Sequence, residues 1–281
     1  MANMAIDNHS VPSGAHAAPR SDSASPLAFA TQVFAVADAE WRKLARDPTE
    51  LFTRAVQPAL WLVVFGQVFT RLRAIPTGSL GYVAFMAPGV LAQSVLFSAI
   101  FYGIAVIWER DLGITHKMLV SPASRVALVC GKGLAAAARG LVQGVIVTVL
   151  AVILGVHIRT DPLSILVLIA VVILASMLFS TFSLVIACLV KTRERFMGVG
   201  QLLTMPLFFA SNAIYPLAVM PTWLAAISRA NPLTYVVDAL RASMIQGGQS
   251  VMGLGTDIAV LVAVTAAFIA IAARLYPELV R

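Results

Sequence analysis

Along this chain, long uncharged stretches alternate with short segments into which almost every charge is crowded. The uncharged stretches run over residues 55–70, 74–108, 163–190, 196–228 and 258–273, and a further apolar stretch over 127–157 holds only Lys132 and Arg139 near its start. Each is helix-length, and a bilayer crossing takes about 20 apolar residues. The pattern predicts six membrane-spanning helices, at about 50–70, 80–108, 127–157, 162–190, 196–215 and 257–273, within one domain over 47–275. Two starts are written as a cap residue followed by proline, Asp47-Pro48-Thr49-Glu50 and Asp161-Pro162, and Thr256-Asp257 reads as the cap of the last span. Pro58 predicts a kink in the first span, Pro88-Gly89 a break in the second and Pro206 a kink in the fifth.

Two further segments are amphipathic rather than uniformly apolar. Over 26–46, Phe34, Ala37, Trp41 and Leu44 share one helical face while Arg42, Lys43 and Arg46 fall elsewhere, the pattern of a helix lying in the membrane interface. Over 216–247, Pro216 and Pro221 break the chain into short apolar helices, about 222–230 and 231–245, which read as a segment partly re-entering the membrane from outside. The fold class is thus an all-α membrane protein with six transmembrane helices, an N-terminal interfacial helix and re-entrant extracellular helices between spans five and six. Residues 1–25, rich in Ala, Ser, Pro and Gly, read as a disordered cytoplasmic tail.

Composition strengthens this picture. Of the 281 residues 59% are hydrophobic and only 12% charged, against about a quarter charged in a soluble domain. A soluble enzyme, a disordered scaffold and a nucleic-acid-binding module are therefore excluded. The net charge of +7 is explained by its distribution. Six spans put 15 of the 20 basic residues on the side of both termini and leave Arg71, Arg73, Arg159, Arg229 and Arg241 on the other. By the positive-inside bias both termini are cytoplasmic. Cys130 and Cys188 then lie near the cytoplasmic ends of spans three and four, as small packing residues rather than a disulfide or a metal site.

The chemistry absent from the spans is equally informative. All 13 acidic residues fall in the tail, in loops or at helix ends, so no mid-span carboxylate is present to bind a coupling ion. No aspartate cluster suits Mg²⁺, no serine and histidine share a depth, and no G-x-x-x-x-G-K-[ST] phosphate loop occurs. An ion-coupled secondary transporter and an intramembrane lipid-modifying enzyme are therefore the weaker alternatives. Work done by this chain needs energy from another one.

Three segments together resemble the membrane subunits of ABC-2 type exporters, in the group of daunorubicin-resistance and nodulation-factor export permeases. They are Met86-Ala87-Pro88-Gly89 leading into Trp108-Glu109-Arg110; the connector from Glu109 to Arg125, with Leu119-Val120-Ser121-Pro122 and Ser124-Arg125; and Asn231-Pro232-Leu233-Thr234-Tyr235-Val236-Val237-Asp238-Ala239-Leu240-Arg241. The connector departs from many relatives in reading Gly113-Ile114-Thr115-His116-Lys117. The resemblance implies a permease that exports a lipophilic or amphiphilic cargo (a drug, lipid or glycolipid) or, in an alternative reading, a polysaccharide or glycoconjugate. It implies two cytoplasmic ATPase subunits that bind ATP and Mg, a second permease copy or a paralogue, membrane lipid around them, and a bacterial plasma membrane location. This chain itself would bind no cofactor and no nucleic acid.

On that resemblance the connector 109–125 is the contact for the motor, with Glu109, Arg110, Asp111 and Lys117 as a polar rim and Leu112, Met118, Leu119 and Pro122 as its apolar part. The interfacial helix, with Phe34, Trp41, Arg42, Lys43 and Arg46, would follow the motor's movement. Phe97, Phe101, Phe208, Phe209 and Tyr215 are candidates for the wall of the path, and Asn231, Pro232, Tyr235, Asp238 and Arg241 for an outer gate, with Asp238 and Arg241 paired at helical spacing.

Overall fold

A computed structural model describes residues 26–46, 56–72, 75–78, 80–115, 118, 124–190 and 192–279, and the described residues are almost entirely helical. In chain order the helices are α1 (Pro26–Arg46), α2 (Val56–Leu72), α3 (Tyr82–Asp111), α4 (Arg125–Ile153), α5 (Pro162–Leu189), α6 (Arg193–Phe209), α7 (Thr222–Ala230), α8 (Pro232–Met244) and α9 (Leu254–Leu275). Four of them, α3, α4, α5 and α9, are long and apolar enough to cross a membrane. They correspond to the second, third, fourth and sixth spans of the sequence reading. The tail 1–25 and the start signal at Asp47–Glu50 lie outside the described residues.

At the centre of the bundle is α3. It packs on α4, α5, α6 and α8, and along Tyr82–Ile100 nearly every side chain is buried. Its apolar residues run all round the helix, so every face can be buried against neighbours at little cost, and α3 sits inside. Its partner α5 is more apolar still and joins α4 and α9 to it. Interior hydroxyls turn back on their own helices, as with Ser94 to the Val90 carbonyl and Ser176 to the Val172 carbonyl, and so satisfy themselves without water. Ser183 instead donates 2.6 Å to the Ile100 carbonyl and ties α5 to α3.

Glycine sets how closely the helices approach. A Cβ on Gly89 would lie 2.5 Å from the Ala213 carbonyl oxygen and 2.8 Å from Ala213 Cα, both backbone atoms that cannot swing away. On Gly103 it would run into Ser183 Oγ and the Phe196 ring. Gly89→Ala is accordingly expected to destabilise the bundle by about 1–3 kcal/mol, the usual cost of overpacking. Thermal unfolding in detergent measures it, and an unchanged midpoint would refute the close contact.

The structure departs from the sequence expectation in four places. Pro88-Gly89 does not break the second span, because α3 runs unbroken through Pro88. A buried helix tolerates proline where neighbours surround the carbonyl it frees. One turn beyond Pro58, α2 widens into a π-helical segment, Trp61–Gly66. The fifth span was expected to reach Tyr215, yet α6 ends at Phe209, and the chain then turns so that Ser211 and Asn212 are buried. Finally, Thr256-Asp257 does not cap the last span: α9 starts at Leu254 after Gly253, whose φ of 91° suits glycine. Asp161 does cap α5, accepting from Ser164 N at 2.9 Å, and the hydrogen bonds from Ser164 hold its carboxyl below the usual carboxylate range. Cys130 and Cys188 form no disulfide among the described residues.

Candidate functional site

The residues singled out from sequence gather at three levels of the bundle. At the end of α3 the charged connector begins, and its residues separate by direction. Asp111 and Leu112 are exposed, and Arg110 is half-buried. Glu109, by contrast, is only 7% exposed and points inward, where its carboxylate accepts from the Lys132 ammonium on α4. Glu109 is therefore not part of an exposed polar rim. Lys132 and Arg139 approach one ring, that of Tyr102, at 5.8 and 5.0 Å from its centroid. Lys117, Leu119 and Pro122 lie outside the described residues, and Met118 packs partly buried against a cluster of α3, α4, α5 and α9 residues that includes Val106, Leu128, Leu184 and Ala272.

A second tether at this level was not visible in the sequence. Arg193, the first residue of α6, donates 2.8 Å to Asp111 Oδ2 and lies with its guanidinium 4.0 Å above the Trp108 ring. Arg110 donates to the other oxygen, Asp111 Oδ1, at 2.9 Å. An 82-residue separation in the chain hides this pairing from any local pattern. The pairing joins the end of α3, where the connector begins, to the start of α6.

Along α3, Gln93, Ser94, Phe97, Ser98 and Phe101 share a face opposite Gln57 and Pro58 of α2, and together they line a cleft of roughly 300 Å³. Phe97 and Phe101 stack with centroids 6.3 Å apart. A wall of aromatic rings interrupted by amide and hydroxyl groups accepts a molecule with an apolar body and a few polar groups. Phe208 and Phe209 lie elsewhere, on α6. Phe208 is 1% exposed and meets the Trp61 ring edge-on at 5.7 Å, whereas Phe209 is 44% exposed. Tyr215 donates its hydroxyl to the Phe209 carbonyl. These five aromatics thus form two groups rather than one wall.

The third level is built by α8. Asn231 caps it, accepting from Leu233 N at 3.0 Å and donating 2.7 Å to the Leu207 carbonyl of α6, with Pro232 in the first turn. The Tyr235 hydroxyl donates 2.7 Å to the Arg229 carbonyl. Asp238 is fully buried, with Arg241 Nη1 3.6 Å from its Oδ1, the pairing that helical spacing suggested. Arg241 also donates 2.9 Å to the Asn212 carbonyl and sits 4.0 Å above the Phe85 ring. One side chain therefore joins α8, α3 and the turn after α6. Below this end, Gln246 and Arg159 clasp α8's end to the loop between α4 and α5 through backbone pairing of Ile158 with Ile245.

On the flank, α1 lies along α4. Phe34 is 64% exposed, and Arg42 donates 2.9 Å to Asp38 on the exposed side. The side chains of Trp41, Lys43 and Arg46 lie outside the described residues. Among the described residues no three His, Cys, Asp or Glu side chains are grouped to hold a metal ion.

Comparison with known proteins bears on what such a bundle does. Residues 31–245 match the model of the family described as ABC-2 type transporter. The chain is 29% identical over 224 residues to the putative transport permease ycf38 of Cyanophora paradoxa, covering 79% of this chain and 77% of that one. It is 25% identical over 252 residues to the daunorubicin resistance ABC transporter permease protein DrrB1 of Streptomyces coeruleorubidus, covering 89% and 88%. Nodulation protein J of Rhizobium leguminosarum bv. viciae is 26% identical over 182 residues, covering 64% and 68%.

Proposed function

This chain belongs to the ABC-2 type transporter family, and from that premise we propose that it is the permease subunit of an ATP-binding cassette exporter. It moves a lipophilic or amphiphilic molecule out of the cytoplasm, and separate ATPase subunits, two per complex, bind ATP and Mg and drive it. The chain supplies the path, and its own residues carry no hydrolytic step.

The observation that carries this reading is the connector after α3. Its exposed Asp111 and Leu112 offer a charged and apolar surface at the end of the most deeply buried helix, and Arg193 links that surface to α6. A motor that pulls on this point moves α3 and α6 together. The cleft lined by Phe97 and Phe101 lies along α3, so movement of α3 changes its shape.

In this reading α2 and α6 are the first and fifth of six spans. They flank α3 and expose apolar side chains: Val56, Leu60, Val63, Val64 and Val68 on α2, and Leu202, Met205 and Phe209 on α6. Such faces suit a second permease copy or a paralogue across the path. α7 and α8 re-enter the membrane from the outside and close the path there, both termini are cytoplasmic, and α1 rests in the inner interface of a bacterial plasma membrane. The name of the daunorubicin-resistance relative favours a drug-like cargo, as does the aromatic cleft.

The test is co-purification. The tagged chain, co-expressed with a candidate phosphate-loop ATPase from a neighbouring gene, is expected to retain that subunit. Leu112→Asp, at an exposed position that leaves the bundle intact, is expected to reduce recovery at least about tenfold, since a buried charge at a contact costs 1.4 kcal/mol or more. Cargo movement by the chain alone in vesicles, without nucleotide, would overturn the reading.

A further inference from the structure

Where α8 gives way to α9, two buried carboxylates meet a single hydroxyl. Asp238 on α8 and Asp257 in the first turn of α9 are both 0% exposed. Ser250, on the loop between them, lies 3.0 Å from Asp238 Oδ2 and 2.7 Å from Asp257 Oδ2. A serine hydroxyl has one proton to donate, and an ionised carboxylate has none. One of these two oxygen–oxygen contacts is therefore satisfied by Ser250, and the other needs a proton of its own.

The remaining partners show which carboxyl holds it. Asp238 accepts from Met252 N at 2.9 Å and from Asn212 Nδ2 at 3.3 Å, and Arg241 Nη1 stands 3.6 Å away. That is the environment of an ionised carboxylate. Asp257 has only Ser250 on one oxygen, and its other oxygen, Oδ1, has no hydrogen-bond partner. Among the described residues no donor to Oδ1 stabilises a negative charge there.

We propose that Asp238, Ser250 and Asp257 form a proton-binding site at this end of the bundle. Asp257 Oδ2–H donates to Ser250 Oγ, and the Ser250 proton is donated to Asp238 Oδ2. With one proton bound the cluster is neutral, since Arg241 balances Asp238. Without it, two buried negative charges face one partly exposed hydroxyl and one cation, and they repel across the α8–α9 contact. The other charged groups near this end are already engaged: Arg159 donates to the carbonyls of Ile245 and Gly248, and Asp161 caps α5. The adjoining parts of α4 and α5, residues 141–153 and 163–175, carry no charged side chain. The proton thus straps α9 and the loop 246–253 onto α8. The site stands whatever drives transport. In the outward orientation proposed above, it makes the closed end of the path sensitive to external acidity.

Infrared difference spectroscopy of the purified full-length chain tests this directly. The wild type is expected to show a protonated-carboxyl C=O band at neutral pH that disappears as the buffer is made alkaline. In Asp257→Asn, which keeps a neutral donor toward Ser250, the band is expected to vanish, and the thermal midpoint is expected to stop falling in alkaline buffer. The wild-type titration alone suffices if the variant does not fold. Absence of the band across neutral pH in the wild type, its persistence in Asp257→Asn, or a sodium-dependent stabilisation in place of the band would each overturn the proposal.

Discussion

Glu109→Ala is expected to cost about 3–5 kcal/mol of stability, enough to consume a large part of the folding free energy of an ordinary domain. The lost carboxylate is the partner of Lys132, which is 2% exposed and lies among Tyr102, Val129 and Leu184. Arg139 lies over the same Tyr102 ring, so the substitution leaves two cations around one aromatic side chain with no carboxylate beside them. Desolvation of an unpaired ammonium dominates, since a buried pair costs most when only one member is removed. The double variant Glu109→Leu with Lys132→Met is expected to recover most of the loss, because apolar residues of similar volume replace a buried pair at little cost. Unfolding of the purified chain in detergent measures both. A Glu109→Ala protein within about 1 kcal/mol of wild type, the scale of an exposed pair, would show that the ion pair is not buried in the membrane-embedded molecule.

The same pair marks what can and cannot be read from this sequence. The helices were legible because an uncharged run of helix length has few alternatives, and α3, α4, α5 and α9 stand where those runs stand. Asp238 and Arg241 were legible as a pair because three residues separate them on one helix. Glu109 reads from sequence as a rim residue because it stands in a charged run with Arg110 and Asp111, whereas its partner is 23 residues away on another helix. The link from Asp111 to Arg193 was hidden for the same reason. Asp257 looked like a helix cap because it follows Thr256. The cap is Gly253, and the role of Asp257 depends on Ser250 and Asp238, which only the tertiary fold brings to it. Periodicity and local caps belong to the chain, whereas the pairing of buried charges belongs to the packed bundle.

That pairing also organises the molecule along its length. One buried cation lies at the connector level, Lys132 with Glu109, and another at the opposite end, Arg241 with Asp238. Between them α3 presents Phe85 to one and runs into Glu109 at the other, so a single helix touches both. A change in the tilt of α3 strains both sites together. The conformational states of the bundle are accordingly expected to differ in how these two pairs are made, so that one element links the proposed motor contact to the proposed outer closure.

Arg241→Ala is expected to match the Glu109 effect, at about 3–5 kcal/mol, and for a related reason. Arg241 is 4% exposed, and its guanidinium donates 2.9 Å to the Asn212 carbonyl and covers the Phe85 ring at 4.0 Å. Removing it leaves the Asn212 carbonyl without that donor and Asp238 buried without its cation, still facing Ser250 and Asp257. Arg241→Lys keeps the charge but not the planar fork that reaches Asp238 and Asn212 at once, so it is expected to recover only part, leaving roughly 1–3 kcal/mol unrecovered. Asp238→Asn combined with Arg241→Met removes both charges and is expected to be more stable than Arg241→Ala alone. Limited proteolysis of the loop 246–253 reports the same order locally: cleavage is fastest in Arg241→Ala, intermediate in Arg241→Lys and slowest in wild type. Equal cleavage rates in all of them would mean that Arg241 does not fasten α8 to α3 and to the turn after α6.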